Sequence, residues 1–146
     1  MRKLVVLVSA LLPACAIDYG PTDPFGREPF VEGFWRIDAV VQASSCRFVR
    51  DEDFEARVLQ NRDILQIVVE VQDFGAVRYD GFLDEDGDFI ASHTTVYPRL
   101  GTRDDATLDG TFDRDGRSLY ATEEQILTDL ITGDRCSVVW RWYGRR

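Results

Sequence analysis

Histidine is almost missing from this chain of 146 residues, where His93 stands alone. A serine-type triad needs a nucleophile and an orienting acid gathered around a histidine, and nothing near His93 in the sequence suggests them. Cysteine is scarce and odd in number, with three in all. No apolar run reaches the roughly 20 residues that a membrane-spanning helix requires. No segment carries the 3.6-residue period of an amphipathic helix. Basic charge is also short: 17 Lys and Arg stand against 26 Asp and Glu, for a net charge of -9. That balance argues against binding nucleic-acid backbones and against electrostatic attraction to anionic lipid heads.

What is present begins with an address label. Arg2 and Lys3 form a short positive region, and Leu4 to Leu12 reads LVVLVSALL, broken only by Ser9. An apolar core of about 7–15 residues behind a basic start is the pattern of an export signal. Leu12-Pro13-Ala14-Cys15 resembles the lipobox of bacterial lipoproteins, in which a Leu, a variable residue and a small residue precede the acylated cysteine. The resemblance implies a signal peptide over residues 1–14 and a mature chain starting at a palmitate-type, lipid-modified Cys15. Pro13 departs from the usual residue at its position. The competing reading takes Ala14-Cys15-Ala16 as an A-x-A site, with cleavage after Ala16.

Residues 15–32 read as a tether. Pro21, Pro24, Pro29, Gly20 and Gly26 interrupt any regular period, because proline removes backbone donors and glycine adds freedom to the unfolded chain. As a coil, such a stretch reaches on the order of 20 Å. The alternative is a loop packed along the domain, with Tyr19, Phe25 and Phe30 covering a barrel end. Either cleavage removes Cys15 from the thiol count and leaves Cys46 and Cys136 as a natural pair. Loop entropy makes a bridge over that separation worth about 4–5 kcal/mol. Two cysteines and one histidine make a poor zinc set, so no metal or cofactor is expected. Loss of Arg2 and Lys3 leaves 15 basic against 26 acidic groups, about -11 in net charge. Membrane attachment then depends on the acyl chains.

The region from Gly33 to Arg146 alternates apolar and polar residues throughout. Trp35, Ile37, Ala39 and Val41 oppose Arg36, Asp38 and Gln42; Phe54, Ala56 and Val58 oppose Glu55 and Arg57. Leu65, Ile67, Val69 and Val71 oppose Gln66 and Glu70, and Val77, Tyr79 and Leu83 oppose Arg78 and Asp80. DFIASHTTVY, ATLDGTF, RSLYATEEQIL and RCSVVWRWY continue the pattern, with residues 98–105 read as a longer loop. This is the period of half-buried strands rich in β-branched and aromatic residues. Eight such strands joined by Asp- and Gly-containing turns predict an all-β, eight-stranded antiparallel up-and-down barrel. A β-sandwich is the alternative. Cys46 follows the first strand and Cys136 opens the eighth, so the predicted bridge and the predicted closure require the same two ends to meet.

Gly33-Phe34-Trp35 at the start of the first strand is similar to the G-x-W signature of lipocalins and the wider calycin group. The resemblance implies a Trp closing one end of the barrel with a basic residue of the last strand packed across it, here Arg141 or Arg145. It extends over the strand count of most of the mature chain. The sequence departs from the family in showing no second lipocalin motif, and no C-terminal helix is expected after the eighth strand.

The remaining candidates are sparse. Asp84, Asp86 and Asp88 around Gly87, and Asp113 and Asp115 around Gly116, suggest calcium loops only briefly. Starting from Asp84, the twelfth position is Thr95 where an EF-hand needs Glu; starting from Asp113, Ser118 takes the required Gly position. Both read as hairpin turns. His93 shares a face with Phe89, Ala91 and Tyr97, either lining the interior or serving as a satisfied structural histidine. Glu123 and Glu124 alternate, so one of them faces inward unless a strand edge or bulge intervenes. An inward Glu123 beside Gln125 would mark a polar ligand site, since a buried carboxylate is costly without partners. Trp140 and Trp142 share one face. The sequence therefore points to a lipid-anchored protein of the bacterial envelope, more at home on the outer membrane because Ala16 is not the Asp linked to inner-membrane retention. Its barrel over residues 33–146 is expected to bind a small apolar or amphipathic ligand without catalysis, with Trp35, Tyr79, His93 and Trp140 as candidate lining residues. The alternative is a structural or inhibitor-like protein with a filled barrel that meets another envelope protein.

Overall fold

The computed structural model describes residues 29–71 and 75–146. The expected signal segment 1–14, Cys15 and the expected tether as far as residue 28 lie outside the described residues, as do Tyr19, Phe25 and residues 72–74. Eight strands follow in order: β1 (Gly33–Ser44), β2 (Glu52–Asn61), β3 (Ile64–Val71), β4 (Gly75–Leu83), β5 (Asp88–Tyr97), β6 (Thr102–Phe112), β7 (Ser118–Asp129) and β8 (Arg135–Arg145). Each pairs antiparallel with the next and β8 pairs back to β1, so the sheet closes with no free edge. This is an all-β, up-and-down barrel of calycin-like architecture.

Alternation drives the closure. In β1, Trp35, Ile37 and Ala39 are buried while Arg36 and Asp38 are exposed; in β3, Leu65, Ile67 and Val69 are buried. One face of every strand is largely apolar and favours leaving water, and rolling the sheet shut buries that face without a second layer. The arrangement is the reverse of a membrane-spanning barrel, whose outer band is apolar.

Local chemistry sets the turns. Asp84 Oδ1 accepts the amides of Asp86 and Asp88, and Asp113 Oδ1 accepts those of Arg117 and Ser118. These aspartates are Asx-type turn formers, as the sequence suggested, and Gly87 and Gly116 supply the positive φ that each turn requires. Two inward-facing glycines mark where neighbouring strands approach closely. A Cβ on Gly81 would collide with the Ile90 carbonyl oxygen, and one on Gly110 with that of Tyr120.

The barrel has two unlike ends. Strands β1, β3, β5 and β7 start at one end, where Trp35, Ile37, Val58, Leu65, Ile67, Leu83, Leu108, Phe112 and Leu119 fill the interior. Residues 29–32, the last four of the expected tether, cross this end. Val31 is fully buried, its carbonyl accepts the Trp35 Nε1–H at 2.9 Å, and its amide donates to the Gln60 side chain. Trp35 packs edge-on against Phe112, so it closes the end as the G-x-W resemblance implies. The basic residue differs from expectation. Arg141 and Arg145 point to solvent, and it is Arg146 that lies over the Phe30 ring and donates to the Phe30 carbonyl. Inward positions of β8 fall on Val138, Trp140, Trp142 and Gly144, which places both expected arginines on the outer face.

Cys46 and Cys136 are bridged at the opposite end. The β1–β8 register runs from Arg36↔Arg145 to Ser44↔Val138 with a bulge between Val41 and Ala43. The disulfide therefore continues the closing seam beyond its last hydrogen bonds, where Ser45 and Ser137 also pair.

Candidate functional site

Above the filled half, the interior opens into a cavity of about 840 Å³ at the disulfide end. That volume lies within the range of about 300–1,000 Å³ typical of small-molecule sites. Its wall is built from inward positions of several strands: Phe54 from β2, Val69 from β3, Val77 and Tyr79 from β4, His93 from β5, Asp104 from β6, Glu123 and Gln125 from β7, and Trp140 and Trp142 from β8. Arg50, Asp51, Glu52, Asp53 and Glu70 surround its mouth.

A polar network lines one side of this chamber. Glu123 is 5% exposed, so the regular-strand reading holds and no bulge diverts it. Both its oxygens are occupied: Tyr79 Oη donates to Oε1 at 2.6 Å and Trp142 Nε1 donates to Oε2 at 2.9 Å. Burial nevertheless raises the Glu123 pKa to about 7, against the opposing pull of those two bonds. Burial, with the nearby Glu123 charge, also holds the Tyr79 phenol well above its usual range. Tyr79 packs edge-on against both His93 and Trp142, and Phe54 packs against Trp142.

A second chain of bonds runs beside the first. Trp140 Nε1 donates to Gln125 Oε1 at 3.1 Å, and Gln125 Nε2 donates to Asp104 Oδ2 at 3.0 Å. His93 Nε2 lies 3.8 Å from the same Asp104 oxygen, and its Nδ1 is 3.4 Å from Thr95 Oγ1. Desolvation lowers the His93 pKa, favouring the neutral ring even beside a carboxylate. Desolvation also raises the Asp104 pKa, opposed by its bond from Gln125 and by His93. Asp104 is 5% exposed, and its Oδ1 is the one buried side-chain oxygen or nitrogen without a hydrogen-bond partner among the described residues.

The chain matches no protein-family model, no curated protein and no solved structure. What the chamber can hold follows from its own chemistry.

Of the four candidate lining residues, Tyr79, His93 and Trp140 come together on the cavity wall, whereas Trp35 belongs to the closed end and does not line it. The sequence reading missed Asp104. It placed residues 98–105 in a loop, but β6 begins at Thr102 and the turn occupies only the residues between β5 and β6. Counting back by twos from the buried Phe112 through Leu108 and Ala106 arrives at Asp104, so the period contained the signal. The run Thr-Arg-Asp-Asp concealed it, because such residues resemble a turn. The acidic rim at residues 51–53 carries no such period and came only from the fold. Among the described residues, no group of three His, Cys, Asp or Glu side chains is placed to hold a metal ion.

Proposed function

We propose that this protein is a lipid-anchored lipoprotein of the bacterial envelope that binds a small apolar or amphipathic ligand, without catalysis, in the open half of its barrel. The observation that carries this reading is the half-filled interior: side chains pack one end solid and leave a chamber of about 840 Å³ at the other. A barrel serving only as scaffold has no need of that void, since unfilled volume forfeits packing energy. The aromatic wall of Phe54, Tyr79, Trp140 and Trp142 offers apolar surface, and the bonded Glu123 and Gln125 offer fixed polar points. Both oxygens of Glu123 are held by Tyr79 and Trp142 rather than presented to a substrate, which favours binding over chemistry. The anchor rests on the lipobox-like Leu12 to Cys15, and its placement on the outer membrane rests on Ala16.

A second reading, an inhibitor-like or structural protein that meets another envelope protein, draws on one feature of the outer face. Ile64, Phe82 and Ile90 are cross-strand neighbours and all are exposed. Intact mass measured on protein from an envelope fraction, native and then denatured, separates the two. A mass starting at Cys15 with acyl chains, carrying a surplus lost on denaturation, is the expected result. A mass starting at Ile17 overturns the anchor. A native mass without surplus, together with failure to take up the neutral dye Nile red, overturns the ligand reading and favours the outer row.

A further inference from the structure

We infer that the ligand of this cavity is a cation, namely a protonated amine on an apolar or aromatic body. This rests on the ligand-binding reading above and specifies its chemistry. Six carboxyl-bearing residues border the chamber or its mouth: Glu52, Asp104 and Glu123 at inward strand positions, and Asp51, Asp53 and Glu70 on the exposed rim; Arg50 is the single Arg or Lys among the lining residues. His93 does not offset them, because its burial favours the neutral ring.

An acidic lining alone would only describe a solvated rim. Asp104 adds a separate observation. It sits on the wall at 5% exposure, with Oδ2 held by Gln125 and 3.8 Å from His93 Nε2, and with Oδ1 buried behind the wall surface without a hydrogen-bond partner. Buried polar groups are ordinarily satisfied, and an unsatisfied charged one is costly. Among the described groups around it, no Lys or Arg supplies a counter-charge: β5 presents Tyr97 and His93, whose burial disfavours the charged ring, and β7 presents Gln125 and the carboxyl of Glu123. A cation in the chamber would supply that counter-charge.

The rest of the wall suits the same guest. Indole and phenol faces attract ammonium groups through their quadrupoles, and Tyr79, Trp140 and Trp142 lie on the wall with the carboxyls. Fatty acids and other anions fit the volume but meet like charge at the mouth and in the depth. Repulsion of this kind sets specificity as effectively as attraction.

Three probes of one chain length test the inference: octylammonium, octanol and octanoate, titrated into the full, disulfide-bonded protein at about pH 8. Heat of binding and the fluorescence of Trp140 and Trp142 provide the readouts. Octylammonium should bind at least about tenfold more tightly than octanol, and octanoate most weakly. Asp104→Asn should reduce the preference for octylammonium over octanol while octanol still binds. Because a change in the wall can unfold the barrel, Glu52→Gln with Asp53→Asn at the exposed mouth provides a second variant, expected to reduce the preference less. Equal binding of octanol and octylammonium, or tightest binding of octanoate, overturns the cationic ligand and leaves the cavity reading intact. Binding of none of the three overturns both. An undiminished preference in every folded variant overturns the assignment to these carboxyls.

Discussion

Glu123 titrates in the folded barrel at about 7, against an ordinary value of 4.5, because burial penalises its charged form more than Tyr79 and Trp142 favour it. A carboxyl whose pKa rises on folding contributes stability that is full below about pH 4.5 and lost as pH climbs through about 7. The difference corresponds to about 3 kcal/mol. Asp104 is raised too and acts in the same sense, while His93, lowered by burial, acts in the opposite sense as pH falls below its ordinary value. Glu123→Gln retains a side chain that can accept a hydrogen bond and removes the titration. Urea midpoints measured between about pH 5 and pH 8 should fall steeply with pH in the parent and distinctly less in the variant. Equal slopes would show that Glu123 is not the group responsible. At this scale the sequence was legible in part through period: alternation offered an inward position for His93 and for one of Glu123 and Glu124, with a strand edge or bulge left as the alternative for the glutamates. Asp104 was not legible, because a polar residue at the start of a strand reads the same as one in a turn until its cross-strand partners are known.

Elements were legible to the extent that each carries its own hydrophobic face. All eight strands show in the sequence, since each buries alternate residues against a common interior. The start of β6 did not, because its first turn of pairing, Thr102↔Asp129 and Arg103↔Thr128, is polar on both sides. Nor did the special role of the inward glycines, which depends on distances between strands. At Gly110 a methyl would meet the Tyr120 carbonyl oxygen and the Ala121 side chain. Both are fixed by the β6–β7 ladder, where Gly110 pairs with Ala121, so neither can yield without moving backbone. Gly110→Ala should therefore destabilise the barrel by about 1–3 kcal/mol through overpacking, although alanine ordinarily stabilises a strand relative to glycine. A lower urea midpoint with an unchanged denaturant slope is the expected signature. An unchanged or raised midpoint would mean that the strands separate freely at this point.

At the scale of the whole molecule, closure and the disulfide describe one event. β1 and β8 are the most distant strands in sequence, yet they form the seam that removes the last free edges. Pairing them orders the longest loop in the chain, and a cross-link between Cys46 and Cys136, 90 residues apart, lowers the entropy of the open form before pairing begins. The two cysteines made closure readable without any structure, because the bridge demands that those strand ends meet. The same argument sets the cost of losing it. Replacing both cysteines with serine should lower stability by about 4–5 kcal/mol in the loop-entropy treatment. The filled end carries most of the apolar core, through Trp35, Phe112 and Leu65 among others, and does not touch the bridge. The seam should therefore loosen first beside the cavity. Amide exchange in the unbridged variant is expected to quicken most at Val138–Trp140 and Val41–Ser44 and least around Ile37 and Gly144, where β1 and β8 pair at the packed end. Uniform acceleration along the seam would mean that the barrel opens as one unit. Selective loss at the cavity end would identify the disulfide as what keeps the chamber closed at its side.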